Sequence, residues 1–137
     1  MEVGQCIEVF NPYDWLPGHG ENAVEFHAEA GDLSVVIAYD GPNGELKREL
    51  LFKRACAFYK TAFPGPGLLD LHCSVSSQVP MGSLIECPDS EAAVAWTRHW
   101  NDGRAIKHYS MTFLSEHLQL LVFATDCVLK DPISSAS

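Results

Sequence analysis

The hydrophobic pattern opens with Val3 to Phe10, a run that suits a short strand. It breaks at Asn11-Pro12-Tyr13-Asp14 and again at Leu16-Pro17-Gly18-His19-Gly20, where proline and glycine favour turns over ladders, so a long surface loop is expected there. From Ala23 to Ala30, Val24, Phe26 and Ala28 alternate with Glu25, His27 and Glu29, the period of two that marks a strand with one buried and one wet face. Leu33 to Tyr39 is a β-branched apolar run, and Asp40-Gly41-Pro42-Asn43-Gly44 reverses the chain into a hairpin. The returning arm reads from Glu45 through Phe52 to Tyr59, long enough to need a bulge or bend near Lys53-Arg54, with Phe52, Cys56 and Phe58 sharing a core-facing parity.

Pro64-Gly65-Pro66-Gly67 ends that arm. In the next run, Leu68 to Val75, Leu69, Leu71, Cys73 and Val75 occupy one parity and Leu68, Asp70, His72 and Ser74 the other. If this run is a strand, Asp70 and His72 share a face while Cys73 points away, so His72 cannot activate its neighbour's thiol. Ser76 to Gly82 reads as a loop, Leu84-Ile85-Glu86 as a brief strand, and about Asp89 to Trp100 as the one helix, with early acids suited to the positive end of its dipole. Ala92, Ala93, Trp96 and Trp100 fall three and four apart, which predicts an apolar stripe with both indoles packed on the sheet. After Asn101-Asp102-Gly103 a second hairpin follows, Ala105 to Phe113 and Leu118 to Leu129. Its returning strand is apolar at nearly every position from Leu118 to Ala124, which predicts a central place in the sheet.

These elements define an α+β fold, a mainly antiparallel sheet built from hairpins with one amphipathic helix packed on it. The chain has 137 residues, a size at which one core buries surface efficiently while two would each be marginal. A single domain over 1–137 is expected, with a loop-rich acidic amino-terminal portion over about 1–32 and a frayed tail over about 131–137. Charge sharpens the picture: 18 acids against 9 bases give a net charge of -9, which repels phosphate backbones and anionic headgroups and argues against nucleic acid and membranes as partners. Between Met1 and Glu45 there is no Lys or Arg at all.

The five cysteines are odd in number and lack a Cys-x-x-Cys, so reduced, mostly buried thiols are expected, and with them a cytoplasmic location. No His-Glu-x-x-His or other ligand spacing implies a metal, and no phosphate-binding glycine pattern implies a nucleotide, so no metal or cofactor is expected. Cys87, just before the helix start, is the one thiol placed where a dipole could lower its pKa, but the nearby sequence supplies no base. An enzyme or small-molecule binder would draw on Asp70, His72 and His108 in a pocket between helix and sheet.

Leu51-Phe52 followed by Ala57-Phe58-Tyr59, then His72-Cys73, Ser83-Leu84-Ile85-Glu86 with Asp89-Ser90, and Lys107-His108-Tyr109 leading to Val122-Phe123-Ala124, together resemble a group of small uncharacterised bacterial proteins. Some of these are regarded as immunity proteins of polymorphic toxin systems. The resemblance covers about Leu33 to Leu129 and carries no catalytic residues. It implies a non-enzymatic module that binds another protein, such as a toxin with a basic surface, by charge complementarity. The expected contacts are Glu21, Glu25, Glu29, Asp32 and Asp40, with Tyr13 and Trp15 as aromatic anchors. A homodimer is a third reading.

Overall fold

A computed structural model describes residues 2–4, 6–62, 72–73, 82–100 and 103–134. In chain order the elements are β1 (Glu2–Gly4), β2 (Ile7–Phe10), β3 (Ala23–Glu29), β4 (Asp32–Gly41), β5 (Gly44–Lys53), β6 (Ala57–Ala62), β7 (His72–Cys73), β8 (Leu84–Cys87), α1 (Glu91–Trp100), β9 (Lys107–Phe113), β10 (Leu118–Ala124), β11 (Asp126–Leu129) and β12 (Ile133–Ser134). One sheet has the order β2-β8-β9-β10-β6 and a second the order β11-β5-β4-β3, with β12 also on β5. All these pairings are antiparallel; β1 and β7 form a small parallel pair. The fold is thus α+β and hairpin-built, with its strands divided between two sheets facing each other and α1 lying over β9 and β10.

The core lies between the sheets. Leu33, Val35, Ile37 and Tyr39 of β4 and Leu50 and Phe52 of β5 meet Tyr109, Met111 and Phe113 of β9 and Leu120, Val122 and Ala124 of β10. Phe52 and Tyr109 join the sheets directly, their ring centroids 5.5 Å apart. Strand alternation makes this possible, because every second side chain of each strand points into the interface.

Three expectations change here. The long arm from Glu45 to Tyr59 is two strands in different sheets: at Arg54 (φ +52) the chain leaves β5 and crosses to β6. Phe52 is fully buried, but Cys56 is only partly buried and Phe58 is 37% exposed, so parity does not carry across the crossing. The last hairpin divides the same way, β10 staying in the first sheet and β11 entering the second. The crossings are stitched together, for Thr125 donates from its backbone N and from Oγ1 to the Lys53 carbonyl, both at 3.0 Å, and the Cys56 N–H donates to the Phe123 carbonyl at 2.7 Å.

The helix is also placed differently from expectation. Ala93, fully buried, is its contact with the sheet, while Trp100 is 43% exposed and Trp96 half-buried. Trp100 is held by its Nε1–H to Cys56 Sγ at 3.1 Å and by the Arg54 guanidinium 5.1 Å above its ring. A small residue lets the helix approach the strands, and the indoles lean over its flank instead. Ser90 is the N-cap, its Oγ accepting from Ala93 N at 3.1 Å.

Finally, the segment expected to be a surface loop buries Pro12, Leu16, Gly20 and Glu21. Gly20, at φ +86, brings the backbone so close to Ser115 that a Cβ would collide with its Oγ, which donates to the His19 carbonyl at 2.8 Å. Ile133 and Ser134, read from sequence as part of a frayed tail, pair with Lys47 and Leu46 of β5.

Candidate functional site

The second sheet turns its outer face away from the core, and the register settles which residues share it. Glu25 stands opposite Val36, His27 opposite Ser34, and Glu29 opposite Asp32; on the next pairing Asp40 faces Glu45, Val36 faces Glu49, and Ser34 faces Leu51. Lys53 and Asp126 continue the same face. Glu25, Glu29, Asp32, Asp40, Glu45, Glu49 and Asp126 therefore lie together, against Lys47, Lys53 and Lys130 among the described residues. Between β3 and β5 the face dips into a hollow of about 250 Å³ lined by His27, Glu29, Ala30, Asp32, Ser34, Glu49 and Leu51.

Several of these carboxylates are fixed in place. Asp32 Oδ1 accepts from the Arg54 N–H at 2.9 Å. Glu49 is bound by Lys130 Nζ and by Ser34 Oγ, both at 2.5 Å, and these hydrogen bonds, that of Lys130 first, hold its carboxyl below its ordinary pKa. Asp40 accepts from Asn22 Nδ2 at 2.8 Å and lies 3.2 Å from His19 Nε2, and the Asn22 bond is the main reason its pKa is lowered. Glu25 lies 3.4 Å from His27 Nε2, both side chains well exposed. Asp40 and Glu49 therefore keep their negative charge to lower pH than ordinary carboxylates do.

Of the residues expected to contact a partner, Glu25, Glu29, Asp32 and Asp40 share this face, and three do not. Glu21 is only 5% exposed, and its buried Oε1 has no hydrogen-bond partner among the described residues. Tyr13 is half-buried, its ring 3.3 Å from where a Cβ of Gly82 would be, and burial followed by the Glu21 charge raises its phenol pKa. Trp15 packs on Tyr39 at 4.9 Å and Phe10 at 6.4 Å with the Arg48 guanidinium 5.0 Å over its ring. These aromatic groups close the end of the sandwich, because a loop without strands can still bury large side chains against the open end of a core.

Of the alternative pocket, Asp70 lies outside the described residues, and His72 is described only in its backbone, opposite Glu2. His108 is fully buried on the helix-covered face of β9, its ring 4.7 Å from Phe123. Among the described residues neither ring nitrogen has a hydrogen-bond partner, and burial depresses its pKa to about 4. The hollow beside the helix, about 460 Å³, is lined by Ala92, Ala95, Trp96 and His99, so among the described residues His108 does not open into it. No three His, Cys, Asp or Glu side chains among the described residues are placed to hold a metal ion.

The expectation of reduced thiols is overturned for two of the five cysteines. Cys6 and Cys87 form a disulfide across 81 residues of sequence, while Cys56 and Cys127 are free and half-buried. Sequence spacing gave no sign of it, because the pairing depends on β2 lying beside β8. Among the described residues, no helix is long and apolar enough to cross a membrane. No protein-family model, curated protein or solved structure matches the chain.

Proposed function

We propose that this protein is a non-enzymatic binding module whose ligand is a basic protein surface, held on the outer face of the second sheet. One observation carries the reading: seven carboxylates against three lysines on a single open sheet face among the described residues. Rigid strands hold these charges in fixed positions, so little conformational freedom is lost when a partner docks. Clustered charge of one sign also steers an oppositely charged protein and raises its association rate by 10- to 1,000-fold. An immunity-type inhibitor that covers the cationic active site of a nuclease toxin is the member of this class that the sequence resemblance favours.

The reading is tested by isosteric amides. Glu25→Gln, Glu29→Gln and Asp32→Asn together keep the hydrogen-bond acceptors and remove three charges. With the partner isolated from the source cell on the immobilised wild-type chain, the triple variant should associate at least about tenfold more slowly at low ionic strength, with a shallower salt dependence. Equal rates for the two proteins would reject this face as the binding surface. As to location, disulfides persist in oxidising compartments and are transient in the cytoplasm. Cytoplasmic residence therefore requires that the Cys6–Cys87 bridge be one that cycles.

A further inference from the structure

A single row of side chains crosses the helix-covered face of the first sheet. Cys6, the residue before β2, is bridged to Cys87 at the end of β8 with a Cα–Cα distance of 4.2 Å. Cys87 stands opposite His108 of β9, and His108 opposite Phe123 of β10. Directly opposed residues on antiparallel strands hold their Cβ atoms about 4.5–5.5 Å apart, which sets the imidazole beside the Cys87 sulfur. All three are shielded from solvent: Cys6 is 8% exposed, Cys87 1% and His108 0%.

The imidazole is the anomaly in this row. Buried polar groups are nearly always hydrogen-bonded, because an unpaired one forfeits its hydration, yet both nitrogens of His108 lack a partner among the described residues. A disulfide next to it offers no proton. A thiol would supply an S–H donor, and a thiolate an acceptor.

We propose that the Cys6–Cys87 bridge and His108 form a redox-active thiol centre that exchanges with a dithiol reductant, Cys87 being the reactive sulfur and His108 its base. Exchange starts at Cys6, the more exposed sulfur, next to the edge strand β2. A thiolate of the reductant attacks Cys6 Sγ, the Sγ–Sγ bond breaks, and Cys87 leaves as a thiolate. The reductant's second thiol then attacks the mixed disulfide and departs as the oxidised cyclic disulfide. The two electrons it gives up reside on the two cysteine sulfurs; of its two protons, one goes to Cys6 and one to His108. The product is a Cys87 thiolate beside a His108 imidazolium.

The surroundings favour that charge distribution. The Ser90 N–H donates to the Cys87 carbonyl at 3.4 Å, which keeps Cys87 at the amino-terminal, positive end of α1, where thiolates are stabilised. Glu86 and Lys107 alternate to the opposite face and pair there at 3.4 Å. On the row's own face the strands bring Glu8, which accepts from Ser83 Oγ at 3.1 Å, and Tyr59, while α1 brings Glu91, Arg98 and His99, all exposed. The register leaves His108 as the base adjacent to Cys87.

The experiment uses the full chain, oxidised and after reduction with dithiothreitol, at pH 7. Thiolate is read by its ultraviolet absorbance and the imidazole by its nitrogen NMR shifts. An ordinary thiol with a pKa of about 8.5 is only about 3% thiolate at that pH; reduced Cys87 should exceed half, with both His108 nitrogens protonated, whereas the oxidised protein keeps a neutral imidazole. Cys87→Ala assigns the signal among the other cysteines, and His108→Leu should lower it at least tenfold. If His108→Leu does not fold, Cys6→Ser frees the Cys87 thiol without reductant and gives the same two readouts. A neutral imidazole beside a protonated thiol in the reduced or Cys6→Ser protein overturns the proposal, as does thiolate that survives His108→Leu.

Discussion

Ala30 is one of three non-glycine residues with positive φ among the described residues, and it pairs with Gly31 (φ +53 and +84) to turn β3 into β4. Two-residue hairpins need this left-handed geometry, which an L side chain adopts at a cost of about 1 kcal/mol and glycine or asparagine adopts readily. Ala30→Gly should therefore raise stability by about 0.5–1 kcal/mol, read as a higher urea midpoint at unchanged slope. His108 gives a prediction of opposite character. Burial lowers its pKa from 6.5 to about 4, so the unfolded chain takes up the proton before the folded one as pH falls. The stability of the neutral, buried ring is complete above pH 6.5 and is lost as pH drops toward 4, by about 3 kcal/mol in the oxidised protein. Denaturation at pH 7 and pH 4.5 measures the loss, and His108→Leu should remove that component. Tyr109, Met111 and Phe113 alternate with His108 and Ser110 along β9 and face the core, but alternation alone does not reveal that a helix covers the side of His108 too.

Elements that close locally were legible in the sequence, and those that depend on distant chain were not. The β4–β5 hairpin follows from Pro42-Asn43 between glycines, and α1 follows from its start and stop signals, with Ser90 as the cap. Ser90 is fully buried, so Ser90→Ala should cost about 1 kcal/mol and shift thermal unfolding downward without changing the fold. The Cys6–Cys87 bridge ties β2 to β8 across a sequence separation of 81 residues, and chain-entropy arguments assign a loop of that length a stabilisation of about 4.5 kcal/mol. Cys6→Ala should thus bring the guanidinium midpoint down sharply, and reducing the wild-type chain should reproduce the loss. The sheet crossings at Arg54 and Thr125 escaped detection for a physical reason: a strand that bends and one that changes sheets carry the same apolar periodicity on either side of the break.

The whole molecule is held by the contact between two sheets, in which Phe52 and Tyr109 are fully buried ring partners. Phe52→Ala should cost about 3–5 kcal/mol by leaving a cavity between layers that cannot collapse onto it, a loss measurable by calorimetry. Sequence periodicity by itself determined that the protein would be built from antiparallel hairpins with one helix, because side-chain alternation and turn chemistry are properties of a few consecutive residues. It also placed Glu25, His27 and Glu29 on the wet side of their strand. Only the tertiary structure decided that those acids share a face with Glu45, Glu49 and Asp126, that Trp15 and Glu21 turn inward, and that Cys6, Cys87 and His108 meet in one row. Such neighbours are far apart along the chain, and they are brought together by strand order and register, which come from the packing of all the hairpins at once.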